Sequence, residues 1–317
     1  MLSATRDLKS RLAGIRLVLM DIDGTLTTSD RATFENVSEQ LRRLRRHRVP
    51  FSVATGRSIS GAMPVVERLR LVGTRMAPMI NYNGAVLLSA HDGTLIDRHV
   101  ISPEGFRAAL LLCQEAGLWP IVYTCRENIG GPLSEDVYLS DGAPPSAEFN
   151  GMRVERVSDL LSMSQDVVAV LADAGDVETS ARLANALSSR VGATLRITSS
   201  GSRYVEICAP QATKHHAMQR VAGWAGVELN QVMAIGDNVN DLDMIKAAGV
   251  GVAVNNAPAE VKAAAIYACN HASADGVVEA LRMLVRVLDL GGKTSTESPT
   301  WRNRRLTQAL SSPPMRG

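Results

Sequence analysis

Four cysteines stand in 317 residues, Cys113, Cys125, Cys208 and Cys269, and none shares a Cys-x-x-Cys spacing, so neither a zinc site nor a disulfide framework is indicated. Cys113 and Cys269 sit in apolar surroundings and read as small buried hydrophobes. No apolar run approaches the ~20 residues needed to span a bilayer. The first residues mix Arg6, Asp7, Lys9 and Arg11 with few apolar side chains, so a signal peptide's apolar core is missing, and a cytoplasmic protein is expected. Charge of one sign is also lacking: the formal net charge is +2, which gives no reason to expect a nucleic-acid partner. The one basic cluster, Arg42-Arg43-Leu44-Arg45-Arg46-His47-Arg48, has no aromatic residue interleaved for base stacking. Val37, Leu41 and Leu44 fall at helical spacing beside it, so the arginines are expected on the solvated face of a surface helix.

Carboxylates placed directly after apolar runs are what the chain does have. Asp21-Ile22-Asp23-Gly24-Thr25-Leu26 follows the run Ile15 to Met20, which reads as a buried strand. A buried strand delivers its acids to its carboxyl end, where open α/β sheets place ligands. Two acids so close repel unless a cation lies between them, and oxygen ligands suit Mg²⁺. Phe51-Ser52-Val53-Ala54-Thr55-Gly56-Arg57 repeats the pattern with a hydroxyl and a glycine, which can cradle phosphate or simply cap a helix. Lys214 opens the amphipathic stretch Ala217, Val221, Trp224, Ala225. A lysine there opposes the helix macrodipole unless an anion or carboxylate is near, whereas a solvated surface lysine is the plain alternative. Finally, Val232 to Ile235 leads into Gly236-Asp237-Asn238-Val239-Asn240-Asp241-Leu242-Asp243, with carboxyl and amide groups crowded at a strand end.

These four segments, in this order, resemble the motifs of the haloacid dehalogenase superfamily of phosphotransferases. The resemblance spans about Ile15 to Leu290. It is nearest to the Cof-type subfamily, whose large cap lies between the second and third motifs, and Asn81-Tyr82-Asn83-Gly84-Ala85 is similar to its cap entry. One departure is His215, where the subfamily commonly has glycine. The resemblance implies an α/β fold: a Rossmann-like parallel-sheet core, residues 1–83 and 207–290, with an inserted α+β cap domain (C2 type) over 84–206. It also implies the roles. Asp21 is the nucleophile that forms an aspartyl-phosphate, and Asp23 is the general acid and base. Thr55, Gly56, Lys214 and Asn240 bind the substrate phosphate. Mg²⁺ is held by Asp21, Asp237 and the backbone carbonyl of Asp23, and Asp241 orients Lys214 or a metal-bound water. Arg126, after a strand end, is a candidate for substrate specificity, with a surface-loop arginine as the plain alternative; Tyr138 and His91 are weaker candidates. Arg57 is a possible salt-bridge partner near the phosphate.

The hydrophobic rhythm agrees with that architecture. Short strands alternate with helices as far as Tyr82, hairpin signals begin around Ala90-His91-Asp92-Gly93, and the βα rhythm returns at Lys214. Long loops are expected in the Gly- and Pro-rich stretch 128–150, and a disordered tail from Gly291, with Trp301 its only large aromatic. The expected activity is a Mg²⁺-dependent phosphatase of small phosphomonoesters, sugar phosphates or similar metabolites. A phosphosugar mutase, or a non-catalytic sugar-phosphate sensor, are the alternatives. The expected partner is a small phosphorylated substrate, with no nucleic acid and no membrane; sequence leaves the oligomeric state open.

Overall fold

Strand β1 (Leu17–Met20) is apolar at every position because both of its faces are covered. Leu17 and Leu19 enter one hydrophobic cluster and Val18 and Met20 the other, as the two-residue period of a strand requires. The computed structural model describes residues 2–291 apart from 70–75, 128–132, 145–151, 164, 192 and 200–202. The expected tail beyond Gly291, Trp301 included, and much of the stretch 128–150 lie outside the described residues.

A helix, α1 (Leu2–Ala13), precedes β1 in a stretch whose mixed charges carry no clear apolar period. After β1 come α2 (Arg31–Arg46), β2 (Phe51–Val53), α3 (Ile59–Arg68) and β3 (Met79–Asn81). In α2 the Asp30 side chain accepts from the backbone N–H groups of Ala32 and Thr33, while Phe34, Val37, Leu41 and Leu44 face inward. Arg42, Arg46 and Arg48 are exposed, as expected, and Arg45 lies over the Phe51 ring.

A hairpin, β4 (Val86–Leu88) and β5 (Leu95–Arg98), pairs antiparallel with β3. An α+β unit follows: α4 (Pro103–Glu115), β6 (Pro120–Arg126), β7 (Ser134–Ser140), β8 (Arg153–Val157), β9 (Val167–Asp173), α5 (Val177–Val191), β10 (Arg196–Thr198) and β11 (Tyr204–Cys208). Its sheet runs β10-β11-β9-β6-β7-β8, antiparallel except for the β7–β8 edge. Phe106, Leu112, Ala184 and Leu187 cover one face through Val122, Val170 and Val205. The opposite face, with Ile121, Tyr123, Val137 and Leu139, packs into the same cluster as Tyr82 and Val86 of the main body. Strand β7 falls in the stretch 128–150 expected to hold long loops, and β8 follows just beyond it. Glu135, Asp136, Arg153, Glu155 and Arg156 mask their alternation, and β8 is an edge strand with exposed charges.

The chain returns through α6 (Lys214–Ala225), β12 (Val232–Gly236), α7 (Leu242–Ala247), β13 (Val250–Ala253), α8 (Ala259–Ala264), β14 (Tyr267–Ala268) and α9 (Ser273–Leu290). The main sheet has the order β14-β13-β12-β1-β2 and every pairing is parallel. Helices α2 and α9 cover one face. On the other, α6 contributes Ala217, Met218 and Val221 against Leu17, Leu19, Val232 and Ala234. Leu87 of the β4–β5 hairpin packs in that second cluster, beside α6. Parallel strands end on one edge, so Asp21, Thr55, Asp237 and Asn256 all emerge there.

Candidate active site

The acids at this edge gather around one buried ammonium. Lys214 Nζ donates to Asp21 Oδ1 at 2.7 Å and to Asp241 Oδ1 at 2.6 Å, and the lysine is 1% exposed. Thr213 caps α6 by accepting from the His216 N–H, which fixes Lys214 at the first helical position. The cost of a cation at a helix N-terminus is offset by two carboxylates in contact with it. Burial alone would lower the lysine's pKa, but Asp21 and Asp241 outweigh it and hold the ammonium charged.

Asp21, Asp237 and Asp241 each offer a carboxylate oxygen within 4.8 Å of the others. Burial, reinforced by Asp241, raises the Asp21 pKa well above the usual carboxylate range. Burial likewise lifts Asp237 to about 6, against the hydrogen bond that Thr25 Oγ1 donates to its Oδ1 at 2.6 Å. Crowded carboxylates with raised proton affinity are a donor set that fits a hard divalent cation. Asp241 has other duties. Its Oδ1 takes the lysine, and its Oδ2 accepts from the N–H groups of Asp237 and Asn238 at 3.0 and 3.1 Å. The turn around the acids also needs its glycine: Gly24 has φ +73°, and a Cβ there would sit 2.2 Å from Asp237 Oδ2.

Asp23 points elsewhere than Asp21. Its carboxylate is gripped by Arg57, whose Nε and Nη2 donate to Oδ2 and Oδ1 at 2.8 and 2.5 Å. Thr55 is fully buried, with its Oγ1 accepting from the Arg57 N–H at 3.1 Å. Gly56 lies against Asn83 and Glu206, which a Cβ would approach to 3.2 and 3.4 Å. Asn240 is buried one residue before Asp241, and its Nδ2 donates to Asn83 Oδ1 at 3.0 Å.

The structure therefore brings together Asp21, Lys214, Asp237 and Asp241, with Asn240 beside Asp241 in the chain; Thr55 and Gly56 end the neighbouring strand. It directs Arg126 to a different place. Arg126 alternates with Tyr123 and Cys125, which face Tyr82, and it donates instead to the Tyr138 hydroxyl, whose ring belongs to the helix-covered cluster. Three residues were not singled out as site groups from the sequence. Asn256 Nδ2 donates to the Gly24 carbonyl at 2.9 Å and lies 3.3 Å from Asp237 Oδ2. This amide follows a parallel strand end, the signal that also marks the acids. Asn83 and Glu206 meet the site through tertiary packing that no local pattern encodes.

A parallel sheet with an acid cluster and a buried lysine at its carboxyl edge is a Rossmann-like α/β architecture with a built polar site. The sequence profile of the haloacid dehalogenase-like hydrolases matches residues 18–281, and the chain belongs to that family. It is similar to a phosphoglycolate phosphatase of Methanopyrus kandleri, 27% identical over 86% of this chain and 98% of that protein. The Bacillus subtilis 5-amino-6-(5-phospho-D-ribitylamino)uracil phosphatase YitU is 26% identical over 84% of this chain and 96% of its own length. A haloacid dehalogenase-like hydrolase from Bacteroides thetaiotaomicron superposes with a TM-score of 0.67 and 25% identity, covering 84% of this chain and 98% of that one. The chain is a hydrolase of this family.

Proposed function

We propose that the chain hydrolyses small phosphomonoesters, sugar phosphates or metabolites of similar size, with Mg²⁺ as its cofactor and Asp21 as its nucleophile. The observation that carries this reading is Lys214, a buried ammonium hydrogen-bonded to Asp21 and flanked by Asp241. A carboxylate tethered to a cation at a strand end is oriented for attack, and the same cation attracts the phosphoryl oxygens.

An Asp21 oxygen attacks phosphorus, forming the acyl phosphate as the ester P–O bond breaks. The departing oxygen takes a proton from Asp23. Water then attacks phosphorus, giving its proton to Asp23, and inorganic phosphate leaves with Asp21 restored. Thr55, the Gly56 N–H, Lys214 and Asn240 hold the phosphoryl oxygens. Asp21, Asp237 and the Asp23 carbonyl are the groups that would hold Mg²⁺, which when bound neutralises charge on the transferring group. The six-stranded α+β unit packs over Tyr82, next to the Thr55–Arg57 loop, and so limits access to small esters. The relatives named for phosphoglycolate and for a phosphoribitylamino compound act on molecules of this size.

A phosphate-release screen over sugar phosphates, phosphoglycolate, nucleotides and flavin mononucleotide tests the reading. Release by the wild-type chain with Mg²⁺, absent from Asp21→Asn, is expected. Hydrolysis of phosphoproteins alone, or turnover by Asp21→Asn within tenfold of wild type, would overturn it.

A further inference from the structure

A buried chain of three side chains runs from the α+β unit to the acid cluster. Glu206, on β11, is 5% exposed and accepts a short hydrogen bond from Asn83 Nδ2. Asn83 Oδ1 in turn accepts from Asn240 Nδ2 at 3.0 Å. A carboxylate only accepts, so Glu206 forces Asn83 to turn its amide nitrogen outward and its carbonyl toward Asn240. Asn240 must then present its nitrogen to Asn83. The polarity of both amides is thus set from one end. Without that acceptor, either amide could rotate by half a turn at little steric cost.

The backbone supports the same assignment. Tyr82 and Asn83 have φ of +49° and +53°, two consecutive left-handed residues that are not glycine. Such conformations are unfavourable for residues other than glycine and persist where the surroundings fix them. Here the Tyr82 N–H donates to the Arg57 carbonyl and the Asn83 N–H to the Thr55 carbonyl, both at 3.0 Å. The strained turn holds the Asn83 side chain between Gly56, Glu206 and Asn240. Asn240 Oδ1 is buried with no hydrogen-bond partner among the described residues, so its amide is not locked by its own surroundings.

We propose that Glu206 is a positioning residue that sets, through Asn83, the orientation of the Asn240 amide beside the acid–lysine cluster. The proposal rests on the phosphatase reading only where it concerns phosphate. Glu206 makes the site depend on seating of the α+β unit, since withdrawing β11 removes the acceptor that orders the two amides.

Two measurements on the full chain test it. In ¹H–¹⁵N spectra the side-chain NH₂ signals of Asn240, assigned by their loss in Asn240→Ala, are expected to shift or broaden in the isosteric Glu206→Gln. Unchanged Asn240 signals would overturn the relay, whatever the enzyme's activity. In steady-state assays Glu206→Gln is expected to raise KM and the inhibition constant of inorganic phosphate about tenfold, with a smaller change in kcat. Glu206→Gln combined with Asn240→Ala should be no worse than Asn240→Ala alone, whereas multiplicative losses refute the coupling. Asn83→Gly keeps the left-handed backbone and should reproduce the same non-additivity if Glu206→Gln folds poorly. A wild-type chain inactive on every small phosphomonoester would defeat the phosphatase reading, and the amide spectra would still decide the relay.

Discussion

Arg57 holds both carboxylate oxygens of Asp23 in a two-pronged grip, while its own Nη1 donates to the Gly61 carbonyl at 3.0 Å. A planar fork on a carboxylate fixes direction as well as distance, which a lysine cannot reproduce. Arg57 follows Thr55 and Gly56, so the loop proposed to hold the phosphate also aims the proposed acid and base. Asp23 is 47% exposed on its side chain, so without the grip it would sample many rotamers.

Arg57→Gln is therefore expected to lower kcat about a hundredfold, because a small misplacement of a proton-transfer group is that costly. Arg57→Lys should fall between this variant and wild type. Steady-state kinetics on any accepted phosphomonoester provide the check, and kcat within twofold for Arg57→Gln would show that Asp23 needs no such support.

Lys214 has a structural duty that Asp21 lacks. Removing the ammonium strands Asp21 and Asp241 as buried carboxylates with no counter-charge. Lys214→Met should cost about 3–5 kcal/mol in metal-free protein. Asp21→Asn instead relieves repulsion within the cluster and should melt near the wild-type temperature, while turnover falls at least about a thousandfold. Thermal melts with and without Mg²⁺ separate the two, and a Lys214→Met melt equal to wild type would contradict the assigned pairing.

Much of this site could be read from the chain because its acids follow strands that are apolar at every position. Parallel strands buried on both faces advertise themselves, and the residues after them must lie on one edge. Asp21, Thr55 and Asp237 were legible for that reason, and Lys214 only in part, because a lysine at a helix start opposes the macrodipole unless an anion is near, while a solvated surface lysine was the plain alternative. Glu206 was not, since in Tyr204-Val205-Glu206-Ile207-Cys208 it reads as one polar position of an alternating strand. Its contact with Asn83 spans more than a hundred residues of sequence and depends on how the six-stranded sheet seats. Arg126 was legible only as one of two readings, a substrate contact or a surface-loop arginine; in the structure it ends β6 and donates to the Tyr138 hydroxyl.

Metal binding should be pH-dependent with a definite sign. Asp237 has a folded pKa of about 6 without metal, raised above its ordinary 3.8 chiefly by burial. A raised carboxylate contributes stability that is fully present below 3.8 and lost as pH rises through about 6. Mg²⁺ competes with that proton, so the rise in melting temperature on adding Mg²⁺ should be largest above pH 6 and shrink below it. Activity should disappear with excess chelator. A Mg²⁺ effect on melting that grows as the pH drops from 7 to 5 would contradict Asp237 as a ligand.

Acid sensitivity of the fold itself should be traceable to Glu279, on α9. Burial works to raise its pKa, but the Tyr267 hydroxyl at 2.6 Å, His271 Nδ1 at 2.6 Å and the Asn270 side chain at 2.9 Å overcome this. The carboxyl is held down to about 2 against an ordinary 4.5. A depressed carboxylate contributes stability that is present above 4.5 and lost as pH falls toward 2. Glu279→Gln keeps the size but weakens every one of these charge-assisted bonds, at a cost of about 2 kcal/mol near neutral pH. The difference in melting temperature between wild type and Glu279→Gln should thus be widest between pH 5 and 7. It should narrow steadily as the pH is lowered below 4.5, where the glutamate of the unfolded chain takes up its proton while the folded carboxylate still resists protonation. A gap that stays constant down to pH 3 would mean that the glutamate acts through packing and not through its charge.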